Sequence, residues 1–190
     1  VLGEDGYPVV NGTETTTNCN GAADYIIGDV LPDVYGGFGT SVSWKGFDFS
    51  ADFTYQIGGK VYDGTYAGLM SLDKGYGIHE DMLNAWSPEN TGSDIPRMVY
   101  NDSYMAASSD RFLTDASYLS LQNVTLGYTL PKSITMKFGV DKLRLYVVGD
   151  NLWVWAKRKG LDPRQSITGS ASSALYSSIR TISGGISVTF

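Results

Sequence analysis

Residues 42–57 read "VSWKGFDFSADFTYQI". From Phe47 onward the odd positions are Phe47, Phe49, Ala51, Phe53, Tyr55 and Ile57, and the even positions are Asp48, Ser50, Asp52, Thr54 and Gln56. A period of two is the period of a β-strand, whose successive side chains leave opposite faces, so this stretch makes one face apolar and the other polar without exception. Upstream, Phe38, Val42 and Trp44 alternate in the same way with Gly37, Gly39, Ser41 and Ser43. Only Lys45 and Gly46 separate the two runs, which predicts a tight hairpin.

Three further segments carry the same pattern. In "ASYLSLQNVTLGYTLP" Val124, Leu126, Tyr128 and Leu130 share one phase, but Leu119 and Leu121 have the opposite one. A β-bulge near Gln122 and Asn123 would bring both halves onto one face. "LRLYVVGDNLWVWAK" places Leu143, Leu145, Val147, Trp153 and Trp155 on one face and Arg144, Tyr146 and Asp150 on the other. The chain ends on "SGGISVTF", with Ile182, Gly184, Ile186, Val188 and Phe190 in phase to the last residue.

Segments of roughly 10 to 14 residues, at about 3.3 Å per residue and a tilt near 45°, would cross a hydrocarbon slab about 25 Å tall. Strands of soluble sandwiches are usually shorter, and a face this apolar exceeds what a soluble exterior carries. Connections alternate between short and long, the pattern of an outer-membrane barrel with short periplasmic turns and long external loops. The expected organisation is an extracellular loop over 1–33, a transmembrane hairpin over 34–57 and a long extracellular loop over 58–114. A second hairpin follows over 115–155 with a periplasmic turn at 131–142, then an extracellular loop over 156–177 and a closing strand over 178–190. Aromatics sort to both ends: Trp44, Phe47, Tyr128 and Phe190 to the periplasmic side, and Tyr55, Trp153 and Trp155 to the outer side, as in two interfacial girdles. The fold class is therefore all-β, five antiparallel strands of a transmembrane barrel.

Composition agrees. Aromatics are 13 %, charged residues 18 %, and 23 Gly and 13 Tyr tilt the chain toward β structure. A formal charge of -6 argues against a nucleic-acid surface, which needs clustered Lys and Arg. No apolar run approaches the length of a membrane helix, and the opening "VLGEDGYPVV" has neither a basic nor an apolar leader, so an export signal is expected to have been removed or to lie outside this stretch. Cys19 has no partner cysteine and reads as a free thiol.

The linked order of "YGGFGTSVSWKGFDFSADFTYQIGGKVYD", "LNAWSPENTGSDIPRM", "DASYLSLQNVTLGYTLPKS", "LRLYVVGDNLWVWAKRKGLDP" and "GGISVTF" resembles the C-terminal part of SusC/RagA-type TonB-dependent outer-membrane transporters, over roughly residues 26 to 190. The resemblance implies the last five strands, 18 to 22, of a 22-stranded barrel whose lumen holds an N-terminal plug. It also implies residence in the outer membrane of a Gram-negative bacterium, coupling to the TonB complex through the N-terminal part, and a SusD-like surface lipoprotein that caps the barrel. The cargo implied is an oligosaccharide or an oligopeptide. Ile186, Val188 and Phe190 resemble the assembly signal read by the barrel-insertion machinery. Asp48, Asp52, Gln56, Arg144, Tyr146 and Asp150 then face the lumen and the apolar positions face outer-membrane lipid.

Enzymatic chemistry has no candidate. There is no nucleophile elbow, P-loop or dinucleotide fingerprint, so neither an activity nor a cofactor is expected. His79 stands alone and Asp73, Glu80 and Asp81 lack the order of a calcium loop, so no metal is expected. The triplets at Asn11, Asn101 and Asn123 match a glycosylation pattern that carries no weight in a bacterial envelope. In the long loop Tyr66, Trp86, Tyr100 and Tyr104 accompany Asp110 and Arg111, side chains suited either to stacking on sugar rings or gripping a peptide, or to packing the loop against the barrel mouth or a partner lipoprotein. Two alternatives remain at this stage: a passive porin, and a secreted β-sandwich binding module.

Overall fold

The computed structural model describes residues 3–7, 9–10, 14–15, 26–72, 77–100, 107–165, 169–171 and 176–190. Cys19, Asp73 and Tyr104, with the triplets at Asn11 and Asn101, lie outside these described residues. The chain forms two compact units: Val1–Gly28 with Tyr62–Leu113 and Ser170–Ser173, and Asp29–Val61 with Thr114–Gly169 and Ala174–Phe190.

The second unit is built on five long antiparallel strands. These are β1 (Val34–Trp44), β2 (Phe47–Ile57), β3 (Tyr118–Thr129), β4 (Lys142–Ala156) and β5 (Thr181–Thr189), and they lie in the order β5-β4-β3-β2-β1. Each strand pairs with its sequence neighbour, as in a meander. Lys45 and Gly46 join β1 to β2 with φ of 49° and 90°, the pair of positive values that a two-residue hairpin matched to strand twist requires. Four of the odd residues of β2 therefore meet apolar partners in this register: Phe47 opposes Trp44, Phe49 opposes Val42, Phe53 opposes Phe38 and Ile57 opposes Val34. The Phe38 and Phe53 rings stack at 4.9 Å, and the Phe47 and Tyr128 rings lie 4.4 Å apart.

The phase change in β3 has a definite geometry. Asp52 pairs with Asn123 but Phe53 pairs with Leu121, which leaves Gln122 as the extra residue against β2. On the other side Asn123 pairs with Asp150 and Leu121 with Trp153, so Asn151 and Leu152 stand against Gln122. Asn151 takes φ 51° to absorb the insertion. The bulge returns Leu119 and Leu121 to the face of Val124 and Leu126, which otherwise would have fallen among polar groups.

That shared apolar face is open. Phe38 is 55 % exposed, Val42 58 %, Trp44 65 %, Val147 51 % and Ile186 68 %. No helix of the described residues is long and apolar enough to cross a membrane, which says nothing of strands. At the hairpin end, residues 130–141 connect β3 to β4 through a helical turn at Lys132–Thr135 and a 3-10 turn at Met136–Phe138. Lys132 donates to Asp141 at 2.8 Å there, an exposed pair worth under about 1 kcal/mol.

The first unit, which takes in most of the long loop expected over 58–114, is a small folded body. It contains helix α1 (Gly64–Leu69) and 3-10 turns at Glu80–Asn84 and Asp110–Phe112. Asp63 caps α1 by accepting from the Tyr66 amide, and His79 caps the next turn by accepting from the Asp81 amide at 3.1 Å. Ala67, Met70, Met82 and Phe112 are buried together, with Tyr7, Tyr62, Tyr66, Leu72 and Ile95 packed against them. Four buried residues spread over some forty-five positions leave no periodicity to read, which is why the core was invisible in the sequence.

Candidate functional site

On the polar face of the sheet the side chains find one another across strands. Arg144 of β4 reaches over β3 to Asp48 of β2, its Nε donating to Oδ1 at 3.0 Å and its Nη2 donating to Oδ2. The strand between them offers Gly127, opposite Asp48, and a β-carbon there would come within 2.6 Å of Arg144 Nη2. Glycine at this position is thus a matter of space: it lets an ion pair bridge two strands. The Arg144 guanidinium also lies over the Tyr146 ring at 5.0 Å. Asn123 donates to Asp150 at 2.7 Å and accepts from Thr125 at 3.1 Å, while Asp52 stays exposed in the same cross-strand row. Gln56 reaches the Ala116 carbonyl at 3.5 Å. Asp48, Asp52, Gln56, Arg144, Tyr146 and Asp150 consequently share one face, opposite Phe49 and Val147.

A second polar cluster was not anticipated from the sequence. Asp162 and Arg164, in the turn after β4, form a bidentate pair at 2.8 and 2.7 Å with side chains 7 % and 12 % exposed. Arg164 Nη1 also donates to Ser120 at 2.8 Å, and Gln122 donates to both Ser120 and Thr54. Burial pushes the Asp162 carboxyl upward, but the hydrogen bonds and charge of Arg164 outweigh it and hold the group below its ordinary 3.8. The cluster ties the turn to β2 and β3 through the residues that flank the bulge. The signal in the sequence is only the spacing Asp-Pro-Arg; the partners Ser120 and Thr54 are remote.

The loop candidates separate in the first unit. Tyr66 donates to Asp81 at 2.8 Å and packs edge-on against Phe112 and His79. Trp86 lies against Gly6 and beside Arg97, whose guanidinium also covers Tyr7 at 5.0 Å. Arg111 covers the Phe112 ring at 4.6 Å. These three hold the unit together. Tyr100, at 66 % exposure, and Asp110 present themselves to solvent. Asp81, which keeps its side chain partly exposed, accepts the Tyr66 hydroxyl. Among the described residues no cluster of metal-ligating side chains is present.

No family model matches the chain. It is 34 % identical over 176 residues to TonB-dependent receptor P3 of Formosa agariphila, a match over 87 % of this chain and 17 % of that receptor. It is 31 % identical over 170 residues to TonB-dependent receptor SusC of Bacteroides thetaiotaomicron, covering 86 % of this chain and 16 % of the receptor. Among solved structures, the RagAB peptide importer in its open-open state superimposes with a TM-score of 0.74 at 27 % identity, over 97 % of this chain and 20 % of that one. The RagAB peptide transporter superimposes with a TM-score of 0.73 at 28 % identity. The chain belongs to the SusC/RagA-like TonB-dependent transporters, spans less than a fifth of the length of the curated receptors it matches, and has an antiparallel sheet that matches part of a RagA-like barrel.

Proposed function

We propose that this chain forms wall and rim of an energy-coupled importer in the outer membrane of a Gram-negative bacterium, contributing five strands to a 22-stranded barrel. One observation carries the reading: all five strands expose large apolar side chains on one face, while β2, β3 and β4 join polar side chains across strands on the other. Lipid is the solvent in which the first face costs nothing, and a closed barrel is the architecture in which β1 and β5 find partners for their free edges. On this reading Asp48, Asp52, Gln56, Arg144, Tyr146 and Asp150 line the lumen, where the Arg144–Asp48 bridge stiffens the wall beside the plug. Ile186, Val188 and Phe190 serve barrel assembly.

The first unit is assigned to the external rim, where Tyr100 and Asp110 meet cargo or a SusD-like lipoprotein and Tyr66, Trp86 and Arg111 shape the surface that carries them; Tyr104 is kept as a further contact on its residue type alone. The peptide importer among its structural neighbours favours an oligopeptide cargo, with the oligosaccharide that the family resemblance also implies as the second choice. The plug and the TonB contact belong to the remainder of the protein.

Spin labels in the full-length protein, reconstituted in bilayers, test the reading. Labels at Val42 and Val147 should be accessible to dissolved oxygen and shielded from a water-soluble nickel chelate; labels at Ser41 and Ser50 should not show the oxygen preference. Aqueous behaviour of the first pair would overturn the barrel assignment. Replacing residues 66–100 by a short Gly/Ser linker should leave insertion intact while lipoprotein co-purification and nutrient-dependent growth fall.

A further inference from the structure

β5 follows β4 only as far as the pair Thr181 and Asp150, although β4 continues to Ala156. Asn151, with its positive φ, donates to the Ile179 carbonyl at 3.5 Å where the two part. Beyond that point the sheet opens into a cleft of about 620 Å³ between the last residues of β4 and the approach to β5. Lys157, Arg158, Lys159 and Arg180 line it, and Asp162, the one carboxylate among its described lining residues, is held by Arg164. In a chain of formal charge -6 this is a local reversal of sign. Trp153 and Trp155, also lining the cleft, lie on the apolar face at 48 % and 60 % exposure. The Val147 and Ile186 side chains continue that face toward the hairpin end.

We infer that this cleft is a binding site for an anionic, phosphate-bearing lipid of the outer leaflet, for which diphosphoryl lipid A serves as the probe, an inference that rests on the barrel reading. Indole rings favour the boundary between hydrocarbon and headgroups, and basic side chains just beyond them meet anionic headgroups. The ligand must therefore be anionic where the cations stand and apolar below the tryptophans. A soluble polyanion would use the cations but leaves the apolar ladder unexplained. A zwitterionic lipid would use the ladder but gains little from the positive charges of Lys157, Lys159 and Arg180.

The test uses the full-length transporter in nanodiscs, with lipid retention measured by native mass spectrometry. Diphosphoryl lipid A should be retained by the unmodified protein, and the variant carrying Lys157→Gln, Lys159→Gln and Arg180→Gln should bind it at least about tenfold more weakly, since each basic group near an anionic surface contributes measurably. Phosphatidylcholine retention should be unchanged. Heat-modifiable electrophoretic mobility reports barrel assembly; if the triple variant does not assemble, Lys159→Gln and Arg180→Gln alone carry the test, each with about a threefold loss. Equal lipid A binding by assembled variant and parent would overturn the proposal, as would an equal loss of phosphatidylcholine. Loss of inositol hexakisphosphate binding with lipid A unmoved would make the cleft a site for soluble anionic cargo and overturn the lipid assignment. An unmodified protein that assembles but shows no preference for lipid A over phosphatidylcholine defeats this inference alone. One that forms no membrane barrel defeats both readings.

Discussion

The five-stranded sheet carries its large apolar residues on an open face, whereas the unit around Tyr62–Leu113 gathers a cluster of them inside. Phe38 and Ile186 are more than half exposed, but Met70 and Phe112 are 0 % exposed and Met82 1 %. One chain thus follows two solvation rules. The loop unit obeys the ordinary one, burying apolar area away from water. The sheet pairs its backbone laterally and leaves one face to be covered by something as apolar as itself. The polar contents differ correspondingly: the sheet carries a cross-strand ion pair and amide bonds on its other face, and the loop unit uses caps and aromatic edges. What an exposed phenylalanine means is therefore set by the medium, not by the residue.

The sharpest way to break this comparison is to empty the buried core. Phe112→Ala should cost about 3–5 kcal/mol locally. Limited proteolysis of the full-length protein should then cut within 62–113 while heat-modifiable mobility of the barrel is unchanged; collapse of both together would show that the two units share one cooperative core. Next, Phe53→Arg on the apolar face should cost about 2–4 kcal/mol in guanidinium titrations of the refolded barrel. Ser50→Arg, on the polar face, should cost about 0.5 kcal/mol or less. Equal losses would mean that the faces are not solvated differently.

Smaller effects sharpen the polar side. Gly127→Ala should cost about 1–3 kcal/mol by forcing Asp48 and Arg144 apart. Gly184→Ala, where the nearest neighbouring atom would be the Tyr146 carbonyl at 3.9 Å, serves as the unstrained control. The smallest expected effect is a pH response. Asp162 ionises below 3.8 in the folded protein, so its stabilising contribution is complete above that value and is lost as pH falls through the depressed one. Pepsin should therefore nick 161–165 only in strongly acidic solution. In Arg164→Gln, burial acts on Asp162 without its cation, and nicking should begin at higher pH.

The strands were legible because their information is local. Alternation over "FDFSADFTYQI" marks both faces, and the two-residue spacer at Lys45 and Gly46 leaves only one register for β1 against β2. Even the bulge at Gln122 could be read, since a break in phase is itself a local signal. The candidate site was less legible. Tyr66 and Trp86 looked available because aromatic character is visible in a sequence and its neighbours are not; in the fold they meet Asp81, Phe112 and Arg97.

By itself the sequence determined the pleat: which residues share a face, where the phase slips, and that one face must avoid water. Tertiary structure alone decided which polar groups meet on the other face. Arg144 and Asp48 are 96 residues apart and Arg164 and Ser120 are 44 apart. Alternation along a strand is dictated by covalent geometry, but the neighbour across two strands is dictated by register, by the slip at Gln122 and by the missing side chain at Gly127, and those act together only after the sheet has formed.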